Sequence, residues 1–213
     1  MKQYSTYIFD LDGTLLDTIQ DLATSVNYAL RQCRMPERTL DEVRRFVGNG
    51  VRLLMIRAVP DGEDNPRFQE AFDIFRSHYL EHSLDTTAPY PGIMEMLQRL
   101  KANGKRMAVV SNKFDTATKE LIRHFFGNLI EVAIGENEAA GVRKKPAPDT
   151  VNEALRQLGV GKEDAVYVGD SDVDIQTARN SGLPCISVLW GFRDREFLLE
   201  SGATTFVQSP DNI

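Results

Sequence analysis

Short β-rich apolar runs alternate with amphipathic helical stretches along most of this chain, and that rhythm limits the folds open to it more than any other feature. Tyr7-Ile8-Phe9, Met107-Ala108-Val109-Val110, Val132-Ala133-Ile134, Ala165-Val166-Tyr167-Val168 and Cys185-Ile186-Ser187-Val188 each read as a strand. Thr204 to Val207 adds a short edge strand. Helical patterns fall between them, near residues 92–103, 115–126, 148–158, 173–181 and 194–201, and Gly104, Gly159 and Gly182 stand where a helix should end. This alternation predicts an α/β fold, a Rossmann-like parallel sheet covered by helices on both faces.

One region breaks the rhythm. From about Thr18 to Asp85 there is no strand pattern, only helical ones: Leu22, Val26, Tyr28, Ala29 and Leu30 first, then 43–47, 51–59 and 68–84. The prediction is a helical cap domain, residues 18–85, inserted after the first strand. Residues 1–17 and 86–213 then form the α/β core, with Thr86 to Gly92 as the return linker. There is no internal repeat and no low-complexity segment.

Composition narrows the partners. Among 213 residues, 42% are hydrophobic, enough to bury a sizeable core. The formal net charge is −6 and no block of Lys or Arg is long enough to form a nucleic-acid footprint, so an anionic ligand would need a metal and a few local cations. Cys33 and Cys185, with no CxxC and no nearby histidine, read as two reduced thiols rather than a disulfide. His78, His82 and His124 are too scattered in sequence for a zinc site. The N-terminus has no signal-peptide pattern, and no run approaches the ~18 apolar residues of a membrane span. A cytoplasmic protein is expected, monomer or homodimer, with no membrane or nucleic-acid partner.

Open parallel sheets bind ligands beyond the carboxyl ends of their strands. Asp10-Leu11-Asp12-Gly13-Thr14 follows the first predicted strand and Ser111-Asn112-Lys113 the second. Lys145-Pro146-Ala147-Pro148-Asp149 comes a short way after the third, and Gly169-Asp170-Ser171-Asp172-Val173-Asp174 after the fourth. Each segment also has a plainer reading. Asp-Gly is a common turn pair, Ser111 could cap a helix (although Asp115 is a better cap for the one that follows), and Lys145 could be a solvated cation. Asp172 is read as favourable charge in a first helical turn. Trp190 and Phe192, after the fifth strand, could line the edge of the site, although packing is the plainer reading.

Together the segments resemble the haloacid dehalogenase-like hydrolase superfamily. Phe9-Asp10-Leu11-Asp12-Gly13-Thr14-Leu15 looks like its nucleophile motif, and Ser111, Lys145 and Gly169-Asp170 to Asp174 match the other three in order. The helical insert, Gly48-Asn49-Gly50 within it, and Lys145-Pro146-Ala147-Pro148-Asp149 resemble the bacterial phosphoglycolate phosphatases of that superfamily. The resemblance implies a Mg²⁺-dependent phosphatase acting on a small organic phosphate through an aspartyl-phosphate. Asp10 would be the nucleophile, because a carboxylate can attack phosphorus once cations neutralise the phosphoryl oxygens. Asp12, two residues on along an extended chain, would give a proton to the leaving group and later take one from water. Ser111 would donate to a phosphoryl oxygen, and Lys145 would neutralise charge on Asp10 and the transferring group. Asp10 and Asp170 would ligate Mg²⁺, by resemblance with the backbone carbonyl of Asp12, and Asp174 would hold a metal-bound water. Thr14 and Asn112 are candidates for supporting hydrogen bonds to substrate.

Gly48-Asn49-Gly50 is either a loop between helices or, with Arg52, a group that reaches the substrate as the insert closes over the rim like a lid. A phosphonatase would need an insert lysine and 18–85 has none, while a dehalogenase would leave Asp12 without a task. Pyrophosphatase, nucleotide phosphatase and β-phosphoglucomutase-like phosphotransferase activities stay open, as does a regulatory protein that kept the fold.

Overall fold

The computed structural model describes residues 4–137 and 141–213. In chain order the elements are β1 (Thr6–Phe9), β2 (Leu16–Asp17), α1 (Ile19–Gln32), α2 (Leu40–Phe46), α3 (Val51–Ala58), α4 (Phe68–His82) and β3 (Ala88–Pro89). Then come α5 (Ile93–Ala102), β4 (Arg106–Phe114), α6 (Asp115–Phe126), β5 (Val132–Glu136), α7 (Asp149–Leu158), β6 (Ala165–Gly169), α8 (Asp172–Ser181), β7 (Cys185–Val188), α9 (Arg195–Glu200) and β8 (Phe206–Val207). The chain divides into two compact units, Met1–Leu16 with Pro89–Ile213, and Asp17–Ala88. The crossings thus fall at 16/17 and 88/89. Two-residue strands, β2 and β3, pair there as a small ribbon that periodicity cannot reveal at such a length.

The first unit is built on a six-stranded sheet ordered β5-β4-β1-β6-β7-β8, and its strand pairs are parallel. Alternation along the strands divides the core into two layers. Tyr7, Phe9, Met107, Val109, Val166 and Val168 face one way, onto Ile93, Met96 and Leu97 of α5 and Leu121, Ile122 and Phe126 of α6. Ile8, Ala108, Val110, Ala165 and Tyr167 face the other way, onto Val151, Ala154, Leu155 and Leu158 of α7. Buried on both faces, these strands read as continuous apolar runs. Asp115 does not cap α6: it is the first helical residue, and its Oδ1 accepts the amide of Gly135 at 3.1 Å.

In the helical unit, α1 buries Ile19, Leu22, Ala23, Val26, Ala29 and Leu30, the 3–4 spacing of a helix with one apolar face. It packs on α4, which buries Phe68, Ala71, Phe72, Phe75 and Tyr79. Thr39 and Glu42 close a capping box at the start of α2. Asp21, 2% exposed on α1, ties the returning chain to that helix: it accepts the amides and hydroxyls of both Thr86 and Thr87, at 2.5–3.1 Å. Burial works against its charge, and the Thr86 and Thr87 donors outweigh it, holding the carboxyl below the usual range.

His78 and His82, read in the sequence as scattered, stand one turn apart on α4 with their rings stacked at 4.2 Å, and Tyr28 stacks on His78 at 4.1 Å. His124 lies on α6, in the other unit. Cys33 and Cys185 are both free thiols. Among the described residues no helix is long and apolar enough to cross a membrane.

Candidate active site at the strand ends

Strand order runs outward in both directions from β1, toward β4 on one side and β6 on the other. The carboxyl end of β1 is therefore flanked by those of its two neighbours, where an open sheet offers a crevice. Register brings the segments side by side: Phe9 pairs with both Val109 and Val168, so Asp10, one residue beyond Phe9, lies near Ser111 and Asp170, each two residues beyond those partners. Their side chains are buried: Asp10 is 7% exposed, Ser111 1% and Asp170 2%.

Lys145 joins the carboxylates. Its Nζ lies 2.7 Å from Asp10 Oδ1 and 2.8 Å from Asp174 Oδ1, and it donates to the Tyr167 hydroxyl at 3.1 Å. Tyr167 in turn donates to Asp174 at 2.9 Å. Burial disfavours the Lys145 ammonium, but Asp10 and Asp174 outweigh it and raise its pKa above the ordinary lysine value. Asp174 Oδ2 accepts from the Ser171 hydroxyl at 2.6 Å and its amide at 3.1 Å, so four donors fill this carboxylate. The Ser171 amide bond is one half of the capping box that starts α8, the other half being the Ser171 side chain on the Asp174 amide, with Asp172 the first helical residue.

Asp10 and Asp170 are less well served. Asp170 accepts the Phe192 amide at 2.7 Å and the Thr14 hydroxyl at 3.3 Å. Burial, followed by the nearby charge of Asp174, pushes its carboxyl up to about 7. The same two causes push Asp10 well above the usual carboxylate range, against the pull of Lys145. Oxygens of Asp10, Asp170 and Asp174 all lie within 4.8 Å of one another. A hard divalent cation with oxygen ligands fits such a buried, under-neutralised set.

Gly13 makes the approach possible. Its φ of 88° lies in the left-handed region, and a Cβ there would stand 2.5 Å from Asp170 Oδ2. Trp190 and Phe192 do more than pack: Trp190 Nε1 donates to the Thr14 carbonyl at 2.9 Å, beside the Phe192 amide on Asp170.

The other residues singled out in the sequence make these bonds. The Asn112 amide clasps the backbone of Lys145, donating to its carbonyl at 3.0 Å and accepting its N–H at 2.7 Å. A primary amide matches a peptide group in this way, so Asn112 fixes the Lys145 backbone. The Thr14 hydroxyl is turned to Asp170, as above. Ser111 Oγ accepts the Lys113 amide at 3.1 Å, a bond that uses an oxygen lone pair and not the O–H. In the helical unit, Gly48-Asn49-Gly50 links α2 to α3, with positive φ at Gly48 and Gly50. Asn49 Oδ1 accepts from Arg57 at 3.1 Å, and Arg52 pairs with Glu63 at 2.7 Å over the rings of Phe68 and Phe72.

Lys113 went unassigned in the sequence. Its Nζ lies 3.1 Å from Asp12 Oδ1, with side-chain exposures of 3% and 17%. The register of β4 on β5 shifts between Val110 and Phe114, and this irregularity carries Ser111, Asn112 and Lys113 into the site. A shift in pairing register leaves no trace in composition.

Residues 7–188 match the family described as haloacid dehalogenase-like hydrolase. The chain belongs to that family. Within it, the chain is 35% identical over 187 residues to a phosphoglycolate phosphatase of Aquifex aeolicus, covering 87% of this chain and 84% of the relative. Among solved structures, a provisionally named phosphoglycolate phosphatase of Lactobacillus delbrueckii subsp. bulgaricus superposes with TM-score 0.94 at 35% identity, over 99% of this chain and 97% of the other. A predicted phosphoglycolate phosphatase of Haemophilus somnus gives TM-score 0.89 at 27% identity, over 100% and 97%. Family membership agrees with what the strand ends hold, a carboxylate cluster gathered around one lysine.

Proposed function

We propose that this protein is a Mg²⁺-dependent phosphoric monoester hydrolase that works through an aspartyl-phosphate on Asp10, with a small phosphoglycolate-like substrate. One observation carries the reading: Asp10 and Asp170 are buried beside Asp174 with Lys145 as the shared counter-charge, an arrangement that is electrostatically incomplete without a further cation. The substrate class is supported by the phosphoglycolate phosphatases that the chain resembles.

Asp10, Asp170 and the Asp12 carbonyl would hold the ion directly. Asp174, its oxygens already filled by four donors, would act from behind through water. Bound there, Mg²⁺ would supply charge neutralisation for the phosphoryl oxygens. The Asp10 carboxylate attacks phosphorus, and the ester P–O bond breaks with its electron pair on the leaving alkoxide, which takes a proton from Asp12. Asp12, now a carboxylate, removes a proton from water as that water attacks the phosphorus of the acyl phosphate. Inorganic phosphate leaves and Asp10 is restored. Ser111 and Lys145 stabilise the phosphoryl oxygens throughout. Asn49 we assign to the Gly48–Gly50 turn, where it accepts from Arg57, and Arg52 to its pair with Glu63, rather than to chemistry.

The test is a turnover screen over small phosphates with Mg²⁺, followed by a search for a hydroxylamine-labile phosphoenzyme. Turnover with no phosphoenzyme on Asp10, or full activity in Asp10→Asn, would refute the nucleophile assignment.

A further inference from the structure

Lys113 is a buried lysine in the site with no part in the phosphoryl transfer written above. The charge on the transferring group already has Lys145, and Lys113 instead faces Asp12, the residue that must meet the leaving group. We propose that Lys113 selects substrates whose leaving group carries a carboxylate one carbon beyond the ester oxygen. The proposal rests on the phosphatase reading and adds to it a residue that reads the far end of the substrate.

The geometry supports this in three ways. First, Lys113 Nζ lies 3.1 Å from Asp12 Oδ1, which holds the ammonium beside the carboxyl that meets the leaving oxygen and the attacking water. Second, Asp12 must come within about 3 Å of the ester oxygen to pass its proton. Lys113 Nζ is then roughly 6 Å from that oxygen at most, a span that a one-carbon arm, a carboxylate and a salt link cover. An ammonium has three donors and can hold two carboxylates, as Lys145 does with Asp10 and Asp174 in this same site.

Third, the lysine is rigidly presented. Its amide donates to Ser111 Oγ at 3.1 Å and its carbonyl accepts from the Thr118 hydroxyl at 3.4 Å. A Cβ on Gly135 would stand 2.6 Å from that carbonyl, so β5 passes close against it. Arg52, the cation of the helical unit first expected to hold a distal carboxylate, is committed to Glu63, Phe68 and Phe72.

The experiment compares kcat/KM for 2-phosphoglycolate with that for ethyl phosphate, which has the same two carbons and no carboxylate, in the full-length protein with Mg²⁺. Lys113→Met should lower the ratio of the two by about tenfold to a hundredfold, the usual worth of a charge-assisted hydrogen bond. Lys113→Arg should keep more of the ratio than Met does, because it keeps the charge. Should Met at this buried place prevent folding, as judged by circular dichroism, Lys113→Gln carries the same prediction. An unchanged ratio, or equal losses on both substrates, would overturn the proposal and leave Lys113 without a part in selecting substrates. Loss of preference for pyrophosphate instead would overturn the assignment to a carboxylate. Wild-type protein that turns over none of the three would sink the phosphatase reading and this inference with it. An active wild type with an unmoved ratio sinks this inference alone.

Discussion

Asp21 in the helical unit and Asp10 in the α/β unit are both buried carboxylates, and their surroundings treat them in opposite ways. Asp21 is ringed by two amides and two hydroxyls from Thr86 and Thr87, and its pKa falls below the usual range. Asp10 shares one lysine with Asp174, and its pKa rises well above that range. Neutral donors suffice for a charge whose task is to hold two chain segments together. A charge left under-compensated is one whose remaining partners arrive with the ligand. Burial alone would not separate the two cases; the count and kind of donors does.

That contrast can be broken most sharply at Asp10. Asp10→Asn should lower kcat by more than about 10⁴-fold, as expected when a covalent nucleophile is removed. Thermal unfolding of the metal-free variant should be no earlier than wild type, since one of three crowded carboxylates is gone. A variant that loses several degrees in Tm would place Asp10 with the structural carboxylates instead.

Asp12→Asn should cost about 10²–10⁴-fold in kcat on alkyl phosphates, the range for a general acid–base group. A loss below about tenfold would show that another group moves the proton. The first step on p-nitrophenyl phosphate, followed as the p-nitrophenolate burst, should suffer less because its leaving group needs little help.

Asp21→Ala should do the reverse of Asp10→Asn: about 1–3 kcal/mol lost in urea unfolding, from stranding the donors of the buried Thr87, with kcat of the folded fraction within about threefold of wild type. The sign with pH follows from its lowered carboxyl. Its contribution is present above the unfolded pKa of about 3.9 and is lost as pH falls through the lower folded value.

Mg²⁺ should stabilise wild type by a free energy that grows with its concentration, about 2.7 kcal/mol at a hundred times Kd, raising its Tm, and should do so far less in Asp170→Asn. Equal Tm rises in both proteins would detach the ion from this cluster. The smallest effect is at His78, whose pKa burial and then His82 hold below the ordinary value. Because the folded state prefers the neutral ring, stability should decline as pH falls through about 6.5 toward the lower folded pKa. His82, Glu81, Asp85 and Arg31 surround the ring, and the partial compensation by the two acids keeps the expected change to about 2 °C or less. His78→Gln should remove that decline.

The sheet and its order of motifs were legible because each strand is buried on both faces and ends in a polar segment, so periodicity and punctuation coincide at Phe9-Asp10 and at Val168-Gly169-Asp170. What escaped reading has local causes. In sequence Asp21 is an ordinary acid in the first turn of a helix, and its partners Thr86 and Thr87 lie 65 and 66 residues away. Lys113 comes after the apolar run that reads as a strand, at a place where lysines are commonly solvated, whereas β4 continues through it to Phe114 with a shifted pairing and buries it. Thr14 and Asn112 lie among these segments, but whether a hydroxyl or amide bonds to protein, as these do to Asp170 and to the Lys145 backbone, depends on spacings of tenths of an ångström. The i, i+4 spacing of His78 and His82 was there to be used, as neighbours on one helical face.

The ribbon of Leu16–Asp17 with Ala88–Pro89 has an evolutionary consequence. The insert leaves the sheet-bearing unit and returns to it through strands that lie side by side. A segment whose two ends emerge together can be lengthened, shortened or exchanged for an unrelated one without re-threading the host, as domain insertions generally require. Lineages sharing this ancestor could therefore diversify everything between residues 17 and 88 while inheriting the strand ends unchanged.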